Sequence, residues 1–146
     1  MQDDIDTILE PINGGQSMYL KRMPQDVKQE VIVLVNQRTL NNEILCPMNY
    51  SNTESSISIQ EDTNFILYPN GTVYHYNRYE RDEGIYANVY EAKSFGIYNL
   101  TESTLTLKLI DYRSSSGGWH ANKFEEIYER NLENNSFIRK DGKIFK

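Results

Sequence analysis

The apolar positions change period along the chain. Ile5, Ile8, Leu9 and Ile12 recur three and four residues apart behind Asp3 and Asp4, which can cap a helix N-terminus. Pro11 and Gly14-Gly15 then stop the pattern, which predicts a short N-terminal helix and lead-in over 1–22. Residues 24–36 fit two templates. Val27, Val31, Leu34 and Val35 suit a helix, whereas the β-branched run Val31-Ile32-Val33 favours a strand. The strand is the expectation taken forward, so that strand structure fills 23–146.

From residue 55 onward the period falls towards two. Ser56 to Gln60 alternates, and Phe65 to Tyr68 faces Thr72 to Tyr79 across Pro69-Asn70-Gly71. Asn-Gly between apolar runs is a strong hairpin signal, because both residues tolerate positive φ. A second break comes at Asp82-Glu83-Gly84, after which Ile85 to Tyr98 reads as strand in two pieces. Thr104 to Tyr112 places Leu105, Leu107 and Leu109 on one face and Thr104, Thr106 and Lys108 on the other. Such alternation predicts a half-buried strand. Lys123 to Asn131 fits helix or strand, but Asn134-Asn135 and Asp141-Gly142 supply turns for a closing meander. The expectation is an all-β fold, an antiparallel barrel or sandwich; of the two, a meander closing into a small barrel of about eight strands is the one taken forward.

The segment from Phe65 to about Leu109 resembles the small bacterial lipocalin-like domains of the calycin type. The matching residues are Phe65, Asn70-Gly71-Thr72, Gly96-Ile97-Tyr98 and Leu105-Thr106-Leu107. They span about a third of the chain. The Gly-x-Trp of a first lipocalin strand is missing, and the only tryptophan is Trp119. The resemblance implies an eight-stranded barrel with a cavity, without naming a ligand.

Composition then narrows the function. The 146 residues carry a net charge of −6, which argues against wrapping a nucleic-acid backbone. The longest apolar run, VIVLV at Val31 to Val35, falls well short of a bilayer span. The first twenty residues carry acids where a signal peptide needs a basic start, which fits a cytoplasmic protein or one exported with its leader outside this sequence. Arg139, Lys140, Lys143 and Lys146 are the one basic cluster, read as solubilising an end hairpin. A single cysteine, Cys46, excludes an intramolecular disulfide.

No catalytic constellation is legible. His75 and His120 are the only histidines, without metal-ligand spacing, so neither a metal nor a cofactor is expected. Glu125 and Glu126 are adjacent, so on a strand they point to opposite faces. What stands out is aromatic crowding around one turn. Val73, His75, Asn77 and Tyr79 share one strand face, and Tyr74, Tyr76, Arg78 and Glu80 share the other. Tyr and Arg are enriched in binding hot spots, so Tyr74, Tyr76, Arg78, Tyr79 and Trp119 are the candidate contact residues. The competing reading packs Tyr74 and Tyr76 as cross-strand aromatics against Tyr90 or Phe95. Two functions compete: a non-enzymatic barrel holding a small apolar or amphipathic ligand or a protein partner, and an acidic inhibitor or immunity-type protein that blocks a basic partner.

Overall fold

The computed structural model describes residues 5–11, 24–40, 43–115 and 118–146, the side chains of 5, 6 and 112–121 excepted. Among the described residues two helices precede the sheet, α1 (Ile5–Ile8) and α2 (Gln25–Val35). Eight strands follow: β1 (Met48–Ser55), β2 (Ile59–Leu67), β3 (Thr72–Asp82), β4 (Ala87–Leu100), β5 (Thr104–Ser115), β6 (Gly118–Asn131), β7 (Ser136–Arg139) and β8 (Ile144–Phe145). Each pairs antiparallel with the next in sequence order. The sheet then curls back on itself. Ser51 and Lys146 exchange both backbone hydrogen bonds, at 3.1 and 3.2 Å, and Asn52 Nδ2 donates to the Ile144 carbonyl at 2.9 Å. The meander is therefore a nearly closed barrel, which decides between the barrel and the sandwich that the strand spacing left open.

Alternation sends every second side chain inward. Phe65 is the hub of the interior, with ring centroids of Tyr50, Tyr128, Phe137 and Phe145 between 4.8 and 6.0 Å apart in this group. Leu67, Val73, Tyr98, Leu105, Leu107 and Leu109 belong to the same core. A second core lies outside the barrel wall. Tyr74, Phe95 and Ile110 are register neighbours on the outward face of β3, β4 and β5, and α2 lies over them.

That helix corrects the strand expected over 24–36. Val27, Val31 and Val35 stand four residues apart, so one helical face carries all three, and all three are buried. A strand would have split Val31-Ile32-Val33 between two faces. The outward aromatic row of the sheet offers burial to a helical stripe, and that outweighs the modest β-preference of valine and isoleucine. Strand structure accordingly begins at Met48, not at 23. Two smaller differences concern β1 and β4. Ser56 lies in the β1–β2 turn, and β4 runs unbroken for 14 residues.

The Pro69-Asn70-Gly71 hairpin forms, but by a different device from a two-residue Asn-Gly turn. Tyr68 N–H donates to the Thr72 carbonyl at 3.0 Å and Gly71 N–H to the Tyr68 carbonyl at 3.1 Å. Only Gly71 has positive φ, at 90°, which is the three-residue loop with a glycine bulge. Asn70 contributes its side chain instead. Its Oδ1 accepts from Thr72 N–H and Thr72 Oγ1, and its Nδ2 donates to the Ile8 carbonyl at 2.8 Å, tying α1 to the sheet.

Candidate functional site: the polar half of the barrel interior

The inward faces change chemistry halfway along the barrel. Towards the Tyr68–Gly71 end they carry the aromatic and leucine core. Towards the β1–β2 and β3–β4 turns the same alternation brings in Thr63, His75, Asn77, Ser94 and Glu126, joined by Arg139 and Lys143 of the last hairpin. His75 is only 5% exposed and Ser94 is buried opposite it in register. β4 pairs with β5 from Ser94↔Asp111 to Leu100↔Leu105. Among the described residues that pairing stops there, at the level of His75, while the β3–β4 and β5–β6 hairpins run on.

Glu126 organises one side of this region. Its Oε2 accepts a hydrogen bond from the Tyr128 hydroxyl at 2.5 Å and lies 3.4 Å from His75 Nε2. Arg139 Nη1 approaches Oε1 at 3.9 Å. Burial pushes the Glu126 carboxyl up, but His75, Tyr128 and Arg139 together hold it below its ordinary range. The Tyr128 phenol is pushed well up by burial, then by the adjacent carboxylate. Although His75 Nε2 faces that carboxylate, the approach lacks hydrogen-bond alignment, and the nitrogen is buried without a hydrogen bond. A buried polar atom without a partner costs free energy on the order of 1–3 kcal/mol. The His75 ring also meets Phe124 edge-on, with centroids 6.5 Å apart.

The other side is built on β2 and the last hairpin. Asn77 Nδ2 donates to Thr63 Oγ1 at 2.8 Å and to Glu61 Oε2 at 3.3 Å. Lys143 Nζ bonds Glu61 and lies 3.5 Å from Glu54 Oε2. Its hydrogen bond is the main reason that the Glu61 carboxyl sits below its ordinary value. Arg139 is clamped by Asp141, Nε to Oδ1 at 3.1 Å and Nη2 to Oδ2 at 2.8 Å, which drives the Asp141 pKa down to about 2. The guanidinium also rests 5.4 Å above the Phe145 ring. Among the described residues no three His, Cys, Asp or Glu side chains group as a metal site.

The candidate contact residues separate. Tyr74 is 3% exposed, buried beneath α2 in the cluster that also holds its register partner Phe95. Tyr76 is half-buried at the edge of the same cluster. Arg78 pairs with Glu80 at 3.0 Å on the outward face. Tyr79 lies on the inward parity of β3 with its ring 6.3 Å from Tyr90. The side chains of Trp119 and His120 lie outside the described residues, as do Ile12 and Gly14-Gly15. Sequence reasoning placed His75 and Asn77 on the face opposite Tyr74, which is the inward one. It missed Glu126, Arg139 and Lys143. The parity of Phe124, Glu126 and Tyr128 on β6 was a usable signal for Glu126. For Arg139 and Lys143 none was visible, because a basic cluster beside Asp-Gly reads as a solvated turn.

Compared with family models, curated proteins and solved structures, the chain matches none.

Proposed function

We propose that the chain is a non-enzymatic, lipocalin-like binding barrel that takes a small amphipathic ligand into the polar half of its interior. The observation that carries this reading is His75: buried on an inward face, with Nε2 lacking a hydrogen bond beside an ionised Glu126. Buried polar groups are ordinarily satisfied, so an exception calls for a reason. A ligand polar group placed between His75, Asn77 and Arg139 would supply the missing bond. Its apolar body would lie against Phe124 and Leu109, where the aromatic and leucine core begins. The remainder of the interior is filled by rings, which limits the ligand to a small one.

The test uses an amphipathic fluorescent probe, 1-anilinonaphthalene-8-sulfonate, titrated into the folded protein. One-to-one saturable binding is expected, weakened about tenfold or more by His75→Ala and by Arg139→Gln in samples whose urea midpoints confirm folding. Tyr90→Ser, at an exposed position, serves as the control and is expected to bind as the parent does. Absence of saturable binding, or binding indifferent to both interior variants, would remove the ligand reading.

A further inference from the structure

The turns at the polar end of the barrel carry apolar side chains that the fold does not use. Ile57, in the β1–β2 turn, is 104% exposed, and Ile85, in the β3–β4 turn, is 99% exposed. Tyr86 follows at 63%, with Val89 and Tyr90 also exposed further down β4. Single exposed apolar residues are ordinary, but a contiguous group marks a contact surface. Ile57, Ile85 and Tyr86 share the border of one open groove of about 410 Å³ between the two turns, alongside Ser56, Ser58, Glu80 and Asp82.

The turns are also held in place. Asp82 N–H donates to the Ser58 carbonyl at 2.7 Å, which ties one tip to the other. Ser56 N–H donates to Ile59 at 2.7 Å and Glu83 N–H to Tyr86 at 3.0 Å. Gly84, at φ +93°, has its N–H bound by Asp82 Oδ1 at 3.0 Å. A preorganised tip loses little conformational entropy when it docks.

Charge selects the occupant. Glu54, Asp62, Glu80, Asp82 and Glu83 outnumber the nearby cations: Arg78 and Arg81 are directed at Glu80 and Glu83, at 3.0 and 3.8 Å, and Lys143 lies 3.5 Å from Glu54. An anionic lipid surface would be repelled by this rim, and so would a second copy presenting the same acids. We infer that the paired tips of the β1–β2 and β3–β4 hairpins dock a partner protein whose surface offers an apolar socket rimmed by lysine and arginine. Ile57, Ile85 and Tyr86 enter the socket, and the acidic rim meets the basic border. This gives residues to the acidic, partner-blocking reading of the sequence and does not depend on the ligand reading.

The probe is an amphipathic peptide of alternating leucine and lysine, titrated into 15N-labelled protein, with a serine–lysine peptide of equal charge as the control. Amide shifts are expected at 55–59 and 83–87 with the leucine peptide and not with its serine counterpart. The Ile57→Ser/Ile85→Ser double variant should fold with an unchanged urea midpoint and weaken binding about tenfold or more. Raising salt from about 50 mM to about 500 mM should weaken it further, because the rim is screened. Shifts elsewhere, no shifts, or equal shifts with the serine peptide would overturn the inference. So would tip-dependent binding to phosphatidylcholine or phosphatidylglycerol vesicles, which would make the occupant a bilayer. A dimer by sedimentation that the double variant disperses would make it a second copy. The anilinonaphthalene probe, read on the same double variant, reports separately on the interior.

Discussion

A β-carbon built at Gly96 would stand 1.8 Å from the Lys108 carbonyl oxygen and 2.9 Å from its carbon. Those are backbone atoms of the neighbouring strand, so the clash has no flexible end to yield. β4 and β5 approach each other here more closely than any side chain permits. Gly96→Ala is expected to destabilise by about 3 kcal/mol or more, at the upper end of overpacking costs, with urea unfolding as the check. A variant as stable as the parent would show that the strands can part without penalty. Tyr74 supplies a second measurement. Its ring is buried under α2, so Tyr74→Ala should cost about 3 kcal/mol, whereas half-buried Tyr76→Ala should cost less. Equal and small losses at both would mean that the outward aromatic row is not a core. The carboxylates give a pH signature. Glu126, Glu61 and Asp141 are all held below their ordinary values, so the folded state gives up these protons more readily than the unfolded chain. Their stabilisation is complete above the ordinary values of 4.5 and 3.8, and is lost as pH falls through the folded values, about 2 for Asp141. The stability advantage of the parent over Glu126→Gln should therefore narrow on acidification below pH 4.5. An advantage that widens in acid would contradict the geometry around Glu126.

At the scale of elements, α2 is the clearest case of context choosing between two readings of one segment. Val31-Ile32-Val33 prefers extended backbone, yet the spacing of Val27, Val31 and Val35 matches the outward face of the barrel wall. Gln29 is exposed in the middle of the helix, which makes it a clean probe. Gln29→Pro should cost about 3 kcal/mol by removing a helical hydrogen bond and crowding the preceding turn. Gln29→Ala should cost almost nothing. Similar stability for the two variants would argue for an edge strand instead. β1 was invisible for the opposite reason. Its sequence MNYSNTES buries Tyr50 and offers no other fully buried side chain, so alternation had nothing to report. Its partners define it: β2 on one edge and Lys146 on the other.

For the whole molecule, closure rests on a very short last strand. β8 spans two residues, yet Phe145 is fully buried against Phe65 and Tyr128, and Lys146 pairs with Ser51. Phe145→Ala removes the ring that seals this seam and leaves a void beneath Arg139. A loss of about 4 kcal/mol is expected, together with weaker pairing of 51 and 146, seen as faster amide exchange at Ser51 and Lys146. Unchanged exchange would mean that backbone pairing alone holds the seam. Arg130, in register with Phe137 and through it with Phe145, ties Glu43 ahead of β1 to the β4–β5 turn, donating to Glu43 at 2.6 Å and to the Thr101 carbonyl at 3.0 Å.

Local chemistry was sufficient for whatever depends on neighbours in sequence. Period-two runs marked most of the strands from Phe65 to Leu109, and Gly71, Gly84 and Gly142 sit at positive φ where turn residues were read. Regular turn spacing was enough to imply an antiparallel barrel or sandwich, because consecutive strands joined by short turns pair side by side, and the pairing of Ser51 with Lys146 decided for the barrel. Tertiary structure decided what parity alone leaves open. Alternation divides β3 into a Tyr74 face and a His75 face, but only curvature makes one concave. The concave face was the one with fewer aromatics, since α2 was available to cover the other. The polar half of the interior was likewise out of reach. Glu126 and Arg139 lie on adjacent strands, but Lys143 meets Glu61 of β2 only because β8 returns to β1. A charged residue near a chain end reads as solvated until closure of the barrel turns it inward, where burial and a fixed partner shift its proton affinity.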